Sequence, residues 1–266
     1  MNAYIFDVDG VITNPALKRV ERLEILQRIA MLLAHGDFIA LNTGRSLSWI
    51  NERVIESLLG YINDKAILRN FIVVGEKGGT WANFTTHGNF ENHKDDSIST
   101  PSELQNRIKD LINNSYSESM FYDDTKETMI STEMIDGYSI TEYAKLQEKL
   151  VTQMSELLNE MNLNQTLKID PTVIATDIEN KTVGKDFAIG RILEYIKTMG
   201  LNPSKYITFG DSKSDIPMAE KLYEQKLPVE LIYVGENTFE QNTFSFPIKF
   251  TQEKFDKGTL EYLKQE

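Results

Sequence analysis

The chain has 266 residues, no cysteine and a formal charge of −12. Disulfides and cysteine-ligated zinc are therefore excluded, and the length suits one large or two moderate domains. The acidic balance argues against nucleic acid as a partner, and no apolar run approaches a membrane span or a signal segment, so a cytoplasmic protein without nucleic-acid or membrane partners is expected.

In chain order, the apolar run Ala3–Phe6 reads as a buried strand that delivers Asp7, Asp9 and Gly10 to its carboxyl end. Alternation sends both carboxylates the same way, and two acids facing one point need a cation. A polar turn after a buried strand is the bland alternative. A Ca2+ loop is weaker, because the position of its closing Glu is Lys18. A helix is expected over about 17–34 with Gly36 as its stop, then a strand over 38–41 ending in Asn42-Thr43-Gly44-Arg45. A second helix over about 46–59, N-capped by Ser46, and a strand over 71–74 follow.

Gly75-Glu76-Lys77-Gly78-Gly79 then breaks the pattern. From about 81 to 182 none of the polar motifs recurs, although 79–84 and 172–176 read as strands and 89–101 as a solvent loop. A long helix there carries the stripe Leu146, Leu150, Met154, Leu157, Leu158 and Met161. Strand and helix alternate again from Lys185, which opens a helix striped by Ile189, Ile192, Leu193 and Ile196 and closed by Gly200. A strand over 206–209 ends in Gly210-Asp211-Ser212-Lys213-Ser214-Asp215, and a strand over 230–234 and a helix near 253–263 complete the chain. In an open parallel α/β sheet ligands bind beyond the carboxyl ends of the strands, where these unusual residues fall. Four separate segments point to one site.

This constellation resembles the haloacid dehalogenase superfamily of phosphohydrolases. The family's Asp-x-Asp-Gly motif falls on Asp7, Asp9 and Gly10, its threonine motif on Thr43, its lysine on Lys185, and its acidic motif on Gly210, Asp211 and Asp215. The resemblance implies an α/β fold: a Rossmann-like parallel-sheet core of residues 1–80 and 183–266, with an inserted α+β cap domain over 81–182. A cap between the threonine motif and the lysine resembles the group of sugar-phosphate phosphatases and phosphomannomutases. Glu76-Lys77-Gly78-Gly79 is similar to the Glu-Asn-Gly-Gly-like signature at that group's cap entrance.

Four carboxylates beside a dianionic phosphate would repel strongly, so a divalent ion must intervene, and oxygen-only ligands favour Mg2+. By resemblance, Asp7 and Asp211 supply carboxylate oxygens to it, Asp9 its backbone carbonyl, and Asp215 supports the metal or its waters. Asp7 is then the nucleophile, and Asp9, kept protonated by anionic neighbours, is the general acid and base. Lys185 neutralises Asp7 and the transferring phosphoryl, and Thr43 and the Gly44 N–H hold non-bridging oxygens. Arg45 either contacts substrate or pairs with a core carboxylate.

The expected function is a Mg2+-dependent phosphatase of a small phosphorylated metabolite, a sugar phosphate foremost. A phosphosugar mutase and a catalytically retired binding protein are the alternatives. Ser214 departs from the cap group, which usually has Asn there, although a hydroxyl also occurs in trehalose-phosphate phosphatases. His35, His87 and His93 lack metal spacing and read as surface or packing residues, and Trp49 and Trp81 as anchors, with Trp81 near enough to the cap entrance to touch substrate.

Overall fold

The computed structural model describes residues 1–85, 88–236 and 244–266. His87 lies outside the described residues. The chain divides into two units, Met1–His93 with Gly184–Glu266, and Lys94–Val183.

The first unit begins with β1 (Ala3–Phe6), α1 (Leu23–His35) and β2 (Phe38–Asn42). The helical stretch α2 (Leu47–Ile50), a π turn over Asn51–Ile55 and α3 (Glu56–Leu59) leads to β3 (Phe71–Gly75), β4 (Thr80–Phe84) and β5 (Phe90–Lys94). The second unit holds α4 (Ser102–Ser115), β6 (Met120–Tyr122), β7 (Ile130–Met134), α5 (Ile140–Glu160), β8 (Leu167–Pro171) and β9 (Ala175–Asn180). The chain then returns to the first unit through α6 (Lys185–Thr198), β10 (Tyr206–Gly210), α7 (Ile216–Glu224), β11 (Val229–Tyr233), β12 (Ile248–Phe250) and α8 (Asp256–Leu263).

The large sheet has the order β12-β11-β10-β1-β2-β3-β4-β5, with β12 through β3 parallel. Its central strands are buried on both faces, which is why they read as unbroken apolar runs. Tyr4, Phe6, Ile39, Leu41 and Phe209 pack under α1, α2 and α8, whereas Ala3, Ile5, Phe38, Ala40 and Tyr206 pack under α6 and α7. Gly36 ends α1 in the left-handed region at φ 92°, and the Ser46 hydroxyl caps α2 by accepting from the Trp49 N–H at 3.3 Å.

The second unit is a four-stranded antiparallel sheet, order β6-β7-β9-β8, packed against α4 and α5. Leu150, Met154 and Leu158 of the expected stripe are buried in its core, with Leu146, Leu157 and Met161 at the margin.

Six expectations change. The strand over 79–84 does not open the inserted segment: as β4 it pairs antiparallel with β3, because the tight 75–79 turn folds the chain back onto its own sheet edge. The first unit therefore runs to His93 instead of ending at 80. The 172–176 stretch is largely the turn of the β8–β9 hairpin, where the Thr172 hydroxyl accepts from the Ala175 N–H at 3.0 Å. The stretch over 89–101 contains β5. The first helix starts at Leu23 instead of 17, since the Asn14 side chain accepts from the N–H groups of Ala16 and Leu17 at 3.0 and 3.1 Å and holds a turn there. The helix over 46–59 is interrupted by its π turn.

Candidate active site

Adjacent parallel strands β10, β1 and β2 bring Asp211, Asp7 and the Asn42–Arg45 loop to one end of the sheet. Asp7 continues the parity of Ala3 and Ile5, whose side chains face α6, so its carboxylate points towards the start of that helix. Lys185, the first residue of α6, meets it there: Nζ lies 2.7 Å from Asp7 Oδ1 and also pairs with Asp215. Burial works against the ammonium, but the Asp215 and Asp7 carboxylates outweigh it and hold the Lys185 pKa above the usual lysine value.

Asp215 is fully buried. Its Oδ2 accepts from the N–H groups of Asp211 and Ser212, at 3.0 and 2.9 Å, and from the Ser212 hydroxyl at 3.1 Å. With its other oxygen on Lys185, it shapes the Asp211 loop and fixes the lysine together. The Ser214 hydroxyl lies 2.7 Å from that of Ser212, one step further out. Gly10, at φ 73°, lies so close to the Asp211 carboxylate that any side chain there would collide with it. The glycine of the first motif thus admits the acid of the last.

Carboxylate oxygens of Asp7, Asp211 and Asp215 all lie within 4.8 Å of one another. Burial raises Asp7 well above the ordinary carboxylate range, with Lys185 opposing and Asp215 and Asp9 adding to the rise. Burial and the Asp215 carboxylate likewise push Asp211 up to about 7. Crowded carboxylates that resist joint ionisation form a hard, all-oxygen donor set, and such a set fits a small divalent cation such as Mg2+.

Asp9 goes elsewhere. Its oxygens accept from Arg45 Nε at 3.0 Å and Nη2 at 3.1 Å, a bidentate pair, and the guanidinium lies 4.8 Å from the centre of the Trp49 ring. Of the two alternatives for Arg45, the structure shows pairing with a carboxylate. The immediate partner of Asp9 is a cation, and the Asp7 and Asp211 carboxylates stand near enough to interact with it. The divergence arises because the chain leaves β1 after Phe6 and turns at Gly10, so strand alternation no longer governs the second acid.

Thr43 is buried; its N–H donates to the Val74 carbonyl and its hydroxyl accepts from the Arg45 N–H at 3.1 Å. Gly44 stands half-buried beside it. Asn42, not singled out from the sequence, donates from Nδ2 to the Lys185 carbonyl at 2.9 Å and ties the end of β2 to the start of α6. Its signal was a lone amide closing an apolar strand one residue before Thr43. His35 pairs with Asp37 at 2.9 Å, and His93 stacks on Trp81 with ring centres 5.4 Å apart. Trp81 also lies 4.5 Å beneath the Arg191 guanidinium.

No family model matches the sequence, nor does any curated protein. Solved structures do match. The trehalose-6-phosphate phosphatase C-terminal domain of C. albicans aligns with TM-score 0.67 at 15% identity, over 99% of this chain and 91% of that one. A Thermoplasma acidophilum protein aligns with TM-score 0.62 at 15% identity, over 100% and 97%. The sucrose-phosphatase of Synechocystis, solved with sucrose and phosphate, gives 0.55 at 17%, over 99% and 97%. At such identities the likeness establishes the fold. It is an α/β fold, a mainly parallel core sheet with an inserted second domain, which is the architecture the motif resemblance implied.

Proposed function

We propose that this chain is a Mg2+-dependent phosphatase of a small phosphorylated metabolite, with a sugar phosphate as the favoured substrate. One observation carries the reading: Asp7, at the carboxyl end of the central strand, has Lys185 at 2.7 Å and two further acids within reach of a shared ion. Structures with the same fold include a trehalose-6-phosphate phosphatase and a sucrose-phosphatase, which supports the substrate class.

In this reading Asp7 attacks phosphorus in line and becomes an aspartyl phosphate, dividing one difficult hydrolysis into two displacements. Lys185 holds Asp7 and stabilises charge on the transferring group, while Thr43 and the Gly44 N–H receive non-bridging oxygens. Released from Arg45 and protonated from solvent, Asp9 gives that proton to the departing alkoxide and then takes one from the attacking water. Asp7, Asp211 and the Asp9 backbone carbonyl would hold Mg2+, with Asp215 in support; when bound, the ion supplies charge neutralisation between carboxylates and phosphate. Residues 94–183 act as a cap that selects the alcohol.

A phosphate-release screen over phosphorylated metabolites tests this directly. Release should depend on added Mg2+ and stop in chelator, with no bisphosphate activator required. Undiminished turnover in chelator would sink the mechanism, and isomerised sugar phosphate in place of free phosphate would indicate a mutase.

A further inference from the structure

β5 is the outer strand of the large sheet, with β4 on one side and, among the described residues, no strand on the other. An uncovered strand edge is a template for another strand, and folds blunt it by brevity, proline or charge. The opposite edge is blunted in this way, since β12 has three residues and follows Pro247 directly. β5 is five residues long and free of proline, and Glu91, Asn92, His93 and Lys94 are all exposed. Only its charges defend it. Their order decides which strand they repel and which they accept.

The register of the hairpin tells which backbone groups face out. At its mouth the Thr85 N–H donates to the Asn89 carbonyl at 2.9 Å; further along, Phe84 lies against Phe90 and Trp81 against His93, with ring centres 5.0 and 5.4 Å apart. An antiparallel ladder alternates, so Asn89, Glu91 and His93 turn their N–H and C=O groups to β4, whereas Phe90, Asn92 and Lys94 turn theirs outward. Side chains alternate too: Glu91 and His93 share the Trp81 face, and Phe90, Asn92 and Lys94 the other. A second copy that meets this edge about a two-fold axis perpendicular to the sheet keeps the faces matched, so opposed residues must agree in parity. An axis at Glu91 would set that acid against itself, and one at His93 would set Glu91 against Asp95. An axis at Asn92 does neither. It places Glu91 opposite the partner's His93, and Phe90 opposite the partner's Lys94, each twice. The Lys94 ammonium lies 3.1 Å from Asp96 of its own chain, so the stem of that lysine is what meets the phenyl ring.

We propose that β5 is a homodimerisation edge: two copies of this chain join antiparallel about Asn92, through about six main-chain hydrogen bonds and two reciprocal contacts of Glu91 with His93, into one continuous sheet. The axis reverses strand direction, so the two Asp7 ends point opposite ways and each copy keeps its own site. The proposal is independent of the phosphatase reading.

Sedimentation equilibrium of the full chain, from micromolar to millimolar protein, measures the association. The wild type should pass from monomer to dimer as concentration rises. Asn92→Pro keeps the inward ladder and blocks the outward one at the axis, so it should raise the dimer Kd about a hundredfold or more with an unchanged far-UV circular dichroism spectrum. Glu91→Lys, which sets a cation against the partner's imidazole, should raise the Kd about tenfold, and adding His93→Glu should bring it back to within a few-fold. Amide hydrogen exchange reads the same edge without any variant: protection of Phe90, Asn92 and Lys94 should grow with protein concentration, while that of Glu91 and His93 should stay constant. A wild type that remains monomeric at millimolar concentration would overturn the proposal. So would a dimer that Asn92→Pro leaves at full strength, or concentration-dependent protection that spares β5.

Discussion

Asp7 and Asp9 are two residues apart and chemically identical, yet the fold gives them opposite surroundings. Asp7 is buried against an ammonium, and Asp9 is partly exposed against a guanidinium. Different work follows from different partners. In the proposed mechanism Asp7→Asn removes the nucleophile, so hydrolysis of every ester should fall roughly a thousandfold or more and no phosphoenzyme should form. Asp9→Asn keeps the nucleophile. An alkyl phosphate, whose alkoxide needs a proton, should then be nearly inert, whereas an aryl phosphate should release one equivalent of phenol in a burst and stall. Rapid-quench assays with intact-protein mass check both; equal behaviour of the variants would mean that the roles are misassigned. A pH prediction follows from Asp211. Its carboxyl titrates near 7 in the fold against an ordinary value of 3.8, because burial and Asp215 raise it. Between those values the folded chain binds the extra proton, so this contribution to metal-free stability is complete below about 3.8 and is lost as pH rises through about 7. Mg2+ competes with that proton, so its thermal stabilisation should grow from pH 6 to pH 8. Scanning fluorimetry with and without Mg2+ reads the slope, and Asp211→Asn should flatten it.

At the scale of elements, what is local was legible. The runs 3–6, 38–41 and 206–209 announced strands buried on both faces, the α6 stripe announced its packed side, and Ser46 and Gly36 marked their helix ends through cap chemistry. The four motifs were readable because each sits at the end of such an element, three after strands and Lys185 at the start of α6, and the packing of these ends converges them. What depended on a distant partner was not legible. Nothing near 79–84 says that β3 offers it an open edge, and nothing near Asp9 says that a guanidinium 36 positions on will take its carboxylate. Asn42 is the sharpest case, since its partner in α6 is 143 positions away. That single bond links two elements, which makes its removal informative. Asn42→Ala should cost about 1 kcal/mol by removing the bond that ties β2 to the Lys185 carbonyl, and should lower kcat for alkyl and aryl esters alike, because Lys185 serves both in the proposed mechanism. Chemical denaturation and steady-state assays measure the two effects. A drop confined to alkyl esters would instead tie Asn42 to the proton donor.

The whole molecule separates chemistry from the 94–183 unit by sequence interval. Every motif residue lies in the first unit, which has its own two-sided core, and the second unit has its own core of Leu104, Ile108, Tyr143, Leu150, Met154 and Ile178. On the sheet of that second unit, the face turned away from α4 and α5 is polar: the Ser131 hydroxyl donates to Asp177 at 2.6 Å and Lys168 pairs with a buried Glu179 at 3.1 Å. Ordered hydroxyl, carboxylate and ammonium groups on one face are what recognition of a polyhydroxyl alcohol requires, whereas phosphoryl transfer itself needs none of them. Excising residues 94–183 and closing the gap with a flexible linker should therefore leave a chain whose thermal midpoint still rises with Mg2+ and which still hydrolyses p-nitrophenyl phosphate. The ratio of kcat/KM values among sugar phosphates should collapse towards unity. Retention of the full-length selectivity would move specificity into the first unit, and loss of the Mg2+ response in a folded excision product would show that the first unit does not hold the ion alone.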